Sequence, residues 1–182
     1  MTDLPPDADA PEVVRWQGRF ITAKQRGRWE YVARARGIRA AVIVAVEEGH
    51  VLLVEQYRVP LGRACLELPA GLIGDGAGEE GEDPLAAAGR ELEEETGYRA
   101  DRLDNCGEFF SSPGMVSESF TLVRASGLVQ VSEGGGVHGE NITVHRVALS
   151  ALAAFVADRR KAGTAIDVRL LMLLGPDLIP AA

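Results

Sequence analysis

The stretch from residue 83 to residue 97 constrains this chain more than any other. Asp83 can cap a helix, Pro84 suits its first turn, and Gly97 stands where such a helix stops, so the sequence predicts a helix over Pro84–Thr96. At roughly 100° per residue, Glu91, Glu94 and Glu95 share about a third of its circumference, beside an apolar stripe of Leu85, Ala88 and Leu92. Glu93 points away. Carboxylates at i, i+3 and i+4 repel, and each such pair destabilises a helix by roughly 0.3 kcal/mol. A hard divalent cation such as Mg²⁺ would relieve the repulsion, because it prefers carboxylate oxygen and keeps waters for substrate phosphates. A solvated glutamate-rich face accounts for the same residues, and the helix alone does not decide between the two.

The register around the helix favours the cation. Glu82 precedes Arg90 by eight positions, and Gly76 precedes Glu82 by six. From Gly76 to Tyr98 the chain reads G-x5-E-x7-R-E-U-x-E-E-x-G-U, with Leu92 and Tyr98 at the bulky apolar positions. This is the Nudix box, and over about residues 29–174 the chain resembles the ADP-ribose pyrophosphatase branch of the Nudix superfamily. Five features beyond the box carry the resemblance: Val54-Glu55-Gln56-Tyr57-Arg58; the turn Glu67-Leu68-Pro69-Ala70-Gly71; Pro113 within Ser112-Pro113-Gly114-Met115, followed by Glu118; Glu140-Asn141-Ile142; and Trp29-Glu30. Pro113 stands 15 positions after Tyr98, a spacing that resembles this branch. One departure concerns the glycine. Gly71, in the turn that usually carries it, lies eleven positions before Glu82, so Gly71 is the expected structural equivalent and Gly76 matches by spacing only.

The resemblance implies an α+β chain with the Nudix fold, a mixed β-sheet sandwiched between helices, plus a small N-terminal β-segment. It implies Glu91 and Glu95 as principal metal ligands with the Ala70 carbonyl, and Glu94 as a third ligand or the holder of a metal-bound water. Glu82 is expected to pair with Arg90 and support the cluster. Arg58 would neutralise a substrate phosphate, a task suited to a guanidinium fork. Glu140 would ligate a metal or take the proton from the attacking water, with Glu133 as a rival. Gly71, Pro113, Gly114, Met115 and Glu118 would meet substrate, and Trp29-Glu30 the adenine, often from the partner subunit. Trp29 also suits a core or interface position, and Glu118 a turn cap. The implied reaction is hydrolysis of ADP-ribose to AMP and ribose 5-phosphate with Mg²⁺, or Mn²⁺. GDP-mannose or another nucleotide sugar is the alternative substrate, and a non-catalytic nucleotide-sugar sensor the alternative of a different class.

The remainder of the chain reads as short elements. Residues 1–12 are expected to be disordered, 13–36 to form the β-segment and pair two copies, and 37–182 to form the main domain. Strands are predicted at 40–46, 51–56, 66–68, 106–110, 119–125 and 142–148, with helices from a Ser150 cap to about Lys161 and over 167–174. Without regular βαβ alternation, the class is α+β. Gly134-Gly135-Gly136 reads as a source of mobility, and His50, His138 and His145 as surface residues. Cys65 and Cys106 read as buried thiols in a reducing cytoplasm rather than a disulfide. A net charge of −8 argues against nucleic acid as partner, and no run of roughly 18 apolar residues argues for a membrane.

Overall fold

The structure, a computed structural model, describes residues 3–74, 81–137 and 139–178. Gly76 and His138 lie outside the described residues, as does most of the glycine-rich loop before the first helix.

Two sheets form. The first is a three-stranded antiparallel ribbon of β1 (Glu12–Gln17), β2 (Ile21–Arg26) and β3 (Trp29–Arg34). Residues 3–11, read from sequence as unstructured, instead make turns closed by Ala8 N–H donating to Pro5 O. Asp7 anchors them by pairing with Arg28 Nε at 2.9 Å.

The second sheet has eight strands: β4 (Arg39–Glu47), β5 (His50–Arg58), β6 (Arg63–Glu67), β7 (Ala70–Ile73), β8 (Tyr98–Phe110), β9 (Ser119–Gln130), β10 (Thr143–Ala148) and β11 (Ala165–Ile166). Its main path runs β11-β6-β5-β4-β9-β8, with β10 paired to β5 and β7 to β4. The β4/β9 and β11/β6 pairs are parallel and the others antiparallel, so the sheet is mixed.

Helices cover both faces. On one side lies α1 (Pro84–Thr96), on the other α2 (Leu152–Lys161) and α3 (Leu171–Leu178). Alternation along β4 divides the core between them. Ala41, Ile43 and Ala45 pack with Ala87, Ala88 and Leu92 of α1. Ala40 and Val42 turn to Leu152, Val156 and Leu174 on the opposite side. A strand buried on both faces needs the unbroken apolar run that residues 40–46 supply. Full burial of Leu92, which has no exposed surface, contributes about 2 kcal/mol.

Several sequence expectations are corrected. The strand expected at 106–110 begins at Tyr98, because it pairs with β9 along its length although most of its residues face solvent. Ser150 does not cap α2; a 3-10 turn over Leu149–Ala151 precedes it and the N-cap Ala151 offers no side-chain acceptor. Asp167 caps a 3-10 turn, Val168–Leu170, ahead of α3. Cys106 is exposed, since it lies on the outward-facing part of β8, whereas Cys65 is buried. His145 is no surface residue: its side chain is 14% exposed, and Nε2 lies 3.0 Å from Glu55 on the neighbouring strand.

Candidate active site

The site is assembled by α1 and the turn into β7. Asp83 accepts from Leu85 N–H and starts the helix, and Gly97 ends it at φ 76°, with its N–H donating to Glu93 O. Any side chain at Gly97 would also run into the backbone of Ser132, so the stop is specified twice. The helix therefore presents its glutamates in a fixed register to the β6–β7 turn.

Glu95 is buried, and its Oε2 accepts Ala70 N–H at 2.9 Å. Burial pushes its carboxyl up to about 8; the Ala70 hydrogen bond opposes that rise, and the charges of Glu91 and Glu140 add to it. Glu91 lies against Gly71, where a Cβ would overlap its Cγ and Cδ. Arg90 draws the acids together: Nη1 is 2.8 Å from Glu91 and 3.5 Å from Glu94, and Nη2 is 3.4 Å from Glu82. Glu82 in turn accepts Gly74 N–H at 3.0 Å.

Glu91 and Glu95 border a cleft of about 610 Å³. Ala70, Gly71, Glu91, Glu95, Arg58, Glu118 and Glu140 all line it. Glu94 and Arg90 do not; they stand behind Glu91 at the wall. Three residues that sequence reasoning missed also line the cleft: Arg34, which pairs with Glu118, and Asp167 and Arg169. Nothing local marks them, because Arg34 comes from the ribbon and the other two from the C-terminal part of the chain.

Arg58 does not stand free in the cleft. Its Nε and Nη2 form a fork on Glu67 at 2.6 and 2.8 Å. Trp29, Pro113 and Gly114 line a separate recess of about 450 Å³, together with Tyr31 and Phe110. Glu30 and Met115 are exposed and border neither space.

The glycine run 134–136, read from sequence as a source of mobility, packs against the end of α1. Gly135 and Gly136 donate their N–H groups to Glu95 O and Glu94 O at 2.9 and 3.0 Å, closing the last turn of α1. A Cβ at Gly134, which has φ 65°, would meet the backbone of Thr96 and Gly97. Close backbone approach is what demands glycine here. The strap leads to Glu140, whose Oε2 accepts Val137 N–H at 2.9 Å.

Among the described residues, no three His, Cys, Asp or Glu side chains are gathered closely enough to hold a metal ion as they stand. Glu91, Glu95 and Ala70 nonetheless fit one. They line one cleft and bring two carboxylates to it, and at Glu95 desolvation and the charges of Glu91 and Glu140 outweigh the relief from Arg58, a setting that a hard divalent cation would relieve. Cys65, at the cleft floor, is no rival nucleophile, since burial pushes its thiol up to about 12.

Residues 35–163 match the model of the NUDIX domain. The chain belongs to the Nudix family. It is 35% identical over 136 residues to a methanol dehydrogenase activator of Bacillus methanolicus, an alignment covering 73% of this chain and 71% of that protein. It is 41% identical over 93 residues to an ADP-ribose pyrophosphatase of Bacillus subtilis, covering 51% of this chain and 48% of that one. Its fold matches a solved ADP compounds hydrolase with a TM-score of 0.67 at 24% identity, over 92% of this chain and 91% of the other. The resemblance read from the box and the Pro113 spacing is thereby borne out, as are the Nudix fold and its α+β class. Relatives in Bacillus subtilis and Mycobacterium tuberculosis that bear the name ADP-ribose pyrophosphatase are covered by this chain to 48% and 47% of their own length. No helix among its described residues is long and apolar enough to cross a membrane.

Proposed function

We propose that this Nudix enzyme hydrolyses the diphosphate of ADP-ribose, releasing AMP and ribose 5-phosphate, with Mg²⁺ as its metal and Mn²⁺ able to replace it. The observation that carries the proposal is one cleft holding two kinds of wall: Glu91, Glu95 and Ala70 on one side, and the arginines Arg34 and Arg58 with them. A diphosphate bears charge that both cation and guanidinium can meet. A divalent cation bound by Glu91, Glu95 and the Ala70 carbonyl would polarise phosphoryl oxygens and lower the pKa of attacking water. Glu94 and Arg90 position Glu91, and Glu82 holds Arg90. Arg58 binds a phosphate oxygen. Glu140, at the mouth of the cleft, accepts the proton of the water that attacks phosphorus. Glu118, steadied by Arg34, contacts ribose, while Gly71 leaves room for Glu91. The recess of Trp29, Tyr31, Phe110, Pro113 and Gly114 offers ring faces for the adenine, with Glu30 and Met115 at the periphery.

The relatives that bear the name ADP-ribose pyrophosphatase support this substrate over GDP-mannose and over a non-catalytic sensor. A phosphatase-coupled assay over a panel of nucleotide sugars tests it. ADP-ribose is expected to give the highest kcat/KM, with AMP as product. A higher value for GDP-mannose overturns the substrate, and binding without turnover in Mg²⁺ or Mn²⁺ overturns the reaction.

We further propose a cytoplasmic homodimer paired through residues 13–36, with 37–182 as the hydrolase domain. The ribbon has no core of its own, and it exposes Val14, Trp16, Phe20 and Trp29 by 52, 56, 65 and 53%. Val14 and Trp29 share one face of the ribbon and Trp16 lies on the other, and exposed apolar side chains on a segment without a core suit burial against a second copy. Light scattering after gel filtration should give twice the 19.4 kDa chain mass. A monomer mass removes the dimer from the account.

A further inference from the structure

Beside Arg58, along the same cleft, lies a row of alternating charges. Glu67, only 2% exposed, carries two guanidinium groups on one carboxylate. Arg58 forks onto it, and Arg169 Nη2 reaches its Oε2 at 3.4 Å. Arg169 is itself pinned. Asp167 accepts from its Nε at 2.7 Å, its Nη2 at 2.6 Å and its backbone N–H at 2.7 Å. Asp167 is fixed in turn because its own N–H donates to Leu66 O, the residue before Glu67, where β11 runs beside β6.

The two arginines are therefore unequal. The Arg169 side chain is 20% exposed and bonded to its own capping residue, while that of Arg58 is 40% exposed at the end of β5. The Nη1 of Arg58 has no hydrogen-bond partner among the described residues. Arg169 is fixed by Asp167 and reaches Glu67 at 3.4 Å, while Arg58 makes the shorter fork on Glu67 and is the more exposed of the two. A buried carboxylate stripped of both would be strongly disfavoured.

We propose that Arg169, held by Asp167, is a positioning residue for substrate binding: it keeps Glu67 compensated when Arg58 turns to the diphosphate. This rests on the reading of Arg58 as a phosphate ligand. Without Arg169, Glu67 has Arg58 alone and competes with the substrate for it. The cost falls on binding rather than on the bond-breaking step, so KM rises while kcat holds.

The test uses steady-state kinetics on the full chain with the nucleotide sugar that it turns over fastest. Arg169→Met is expected to raise KM about 10-fold or more, with kcat within about threefold of the parent. Arg169→Lys should recover part of that loss. Adding Glu67→Gln to Arg169→Met should bring KM back to within about threefold, because a neutral amide neither needs a cation nor holds Arg58 so tightly. A merely structural role would not yield to this second change. If Arg169→Met does not fold, Arg169→Gln is read in the same way, with the melting curve as control. Arg58→Met separates the layers. If it raises KM and Arg169→Met does not, the proposal is overturned and the phosphate role stands. If Arg58→Met leaves KM unchanged, the phosphate role falls and takes the proposal with it. A fall in kcat at constant KM in Arg169→Met, or no recovery in the double variant, also overturns it.

Discussion

Replacing Glu95 by glutamine should abolish turnover while making the metal-free protein more stable at alkaline pH. The activity half follows from position. Glu95 lies in the cleft, touches Ala70 and is one of two carboxylates there that α1 supplies. An amide keeps the shape but removes the charge that a divalent ion needs, so kcat should drop by about 100-fold or more. The stability half follows from burial. In the unfolded chain this carboxyl ionises near 4.5, but in the folded protein near 8. A raised folded value means that the folded state binds the proton more tightly. Its contribution is fully present below pH 4.5 and is lost as pH rises through about 8. The loss is on the order of a few kcal/mol. Urea titrations of EDTA-treated protein at pH 5 and pH 8.5 would read it: the parent should lose stability across that interval and Glu95→Gln should lose much less. Equal pH dependence in both would remove Glu95 from the account of stability, and undiminished kcat would remove it as a ligand.

The second large effect is expected at a residue with no functional group. Gly71→Ala places a methyl where Glu91 Cγ and Cδ now lie. The backbone cannot yield easily, because Gly71 pairs with Ala41 across the β4/β7 ladder. The glutamate must therefore move. The fold should survive, since the displaced group is a side chain bordering a cleft, and the melting temperature should stay within roughly 5 °C. Activity should fall by about 100-fold or more as Glu91 leaves the position it shares with Glu95. Kinetics and thermal melts on the same preparation decide it. Retained activity would show that Glu91 reaches the metal from another rotamer.

The legibility of this protein from its sequence follows contact distance along the chain. The limits of α1, its Asp83 cap and its Gly97 stop are local events, and local residue chemistry specifies them. The apolar run of β4 declares burial on both faces without any partner being known. β8 was legible only at its end, because a strand whose residues alternate little between core and solvent carries no period. Glu91, Glu95 and the Ala70–Gly71 turn are recognisable as a pattern, so their meeting in one cleft was foreseeable, whereas the place of Glu94 outside it was not. Arg169 meets Glu67 across 102 positions and Arg34 meets Glu118 across 84, and no motif announces either pair. The contacts of the three glycines were not legible for a related reason: a run of glycine looks the same whether it is loose or pressed against another backbone.

The alanines between α1 and the sheet have a consequence of their own. Ala41, Ala45, Ala87, Ala88 and Ala125 are buried together, with no more than 1% of any exposed. Such short side chains let the helix axis settle low over the strands, and that clearance bears on how closely Glu91 and Glu95 meet Ala70 and Gly71 of β7. One added methyl group in this layer would act as a shim. It would lift the acids off the floor of the reaction space without altering any atom that bonds to metal or phosphate, so the geometry of catalysis is gauged by residues that carry no chemistry.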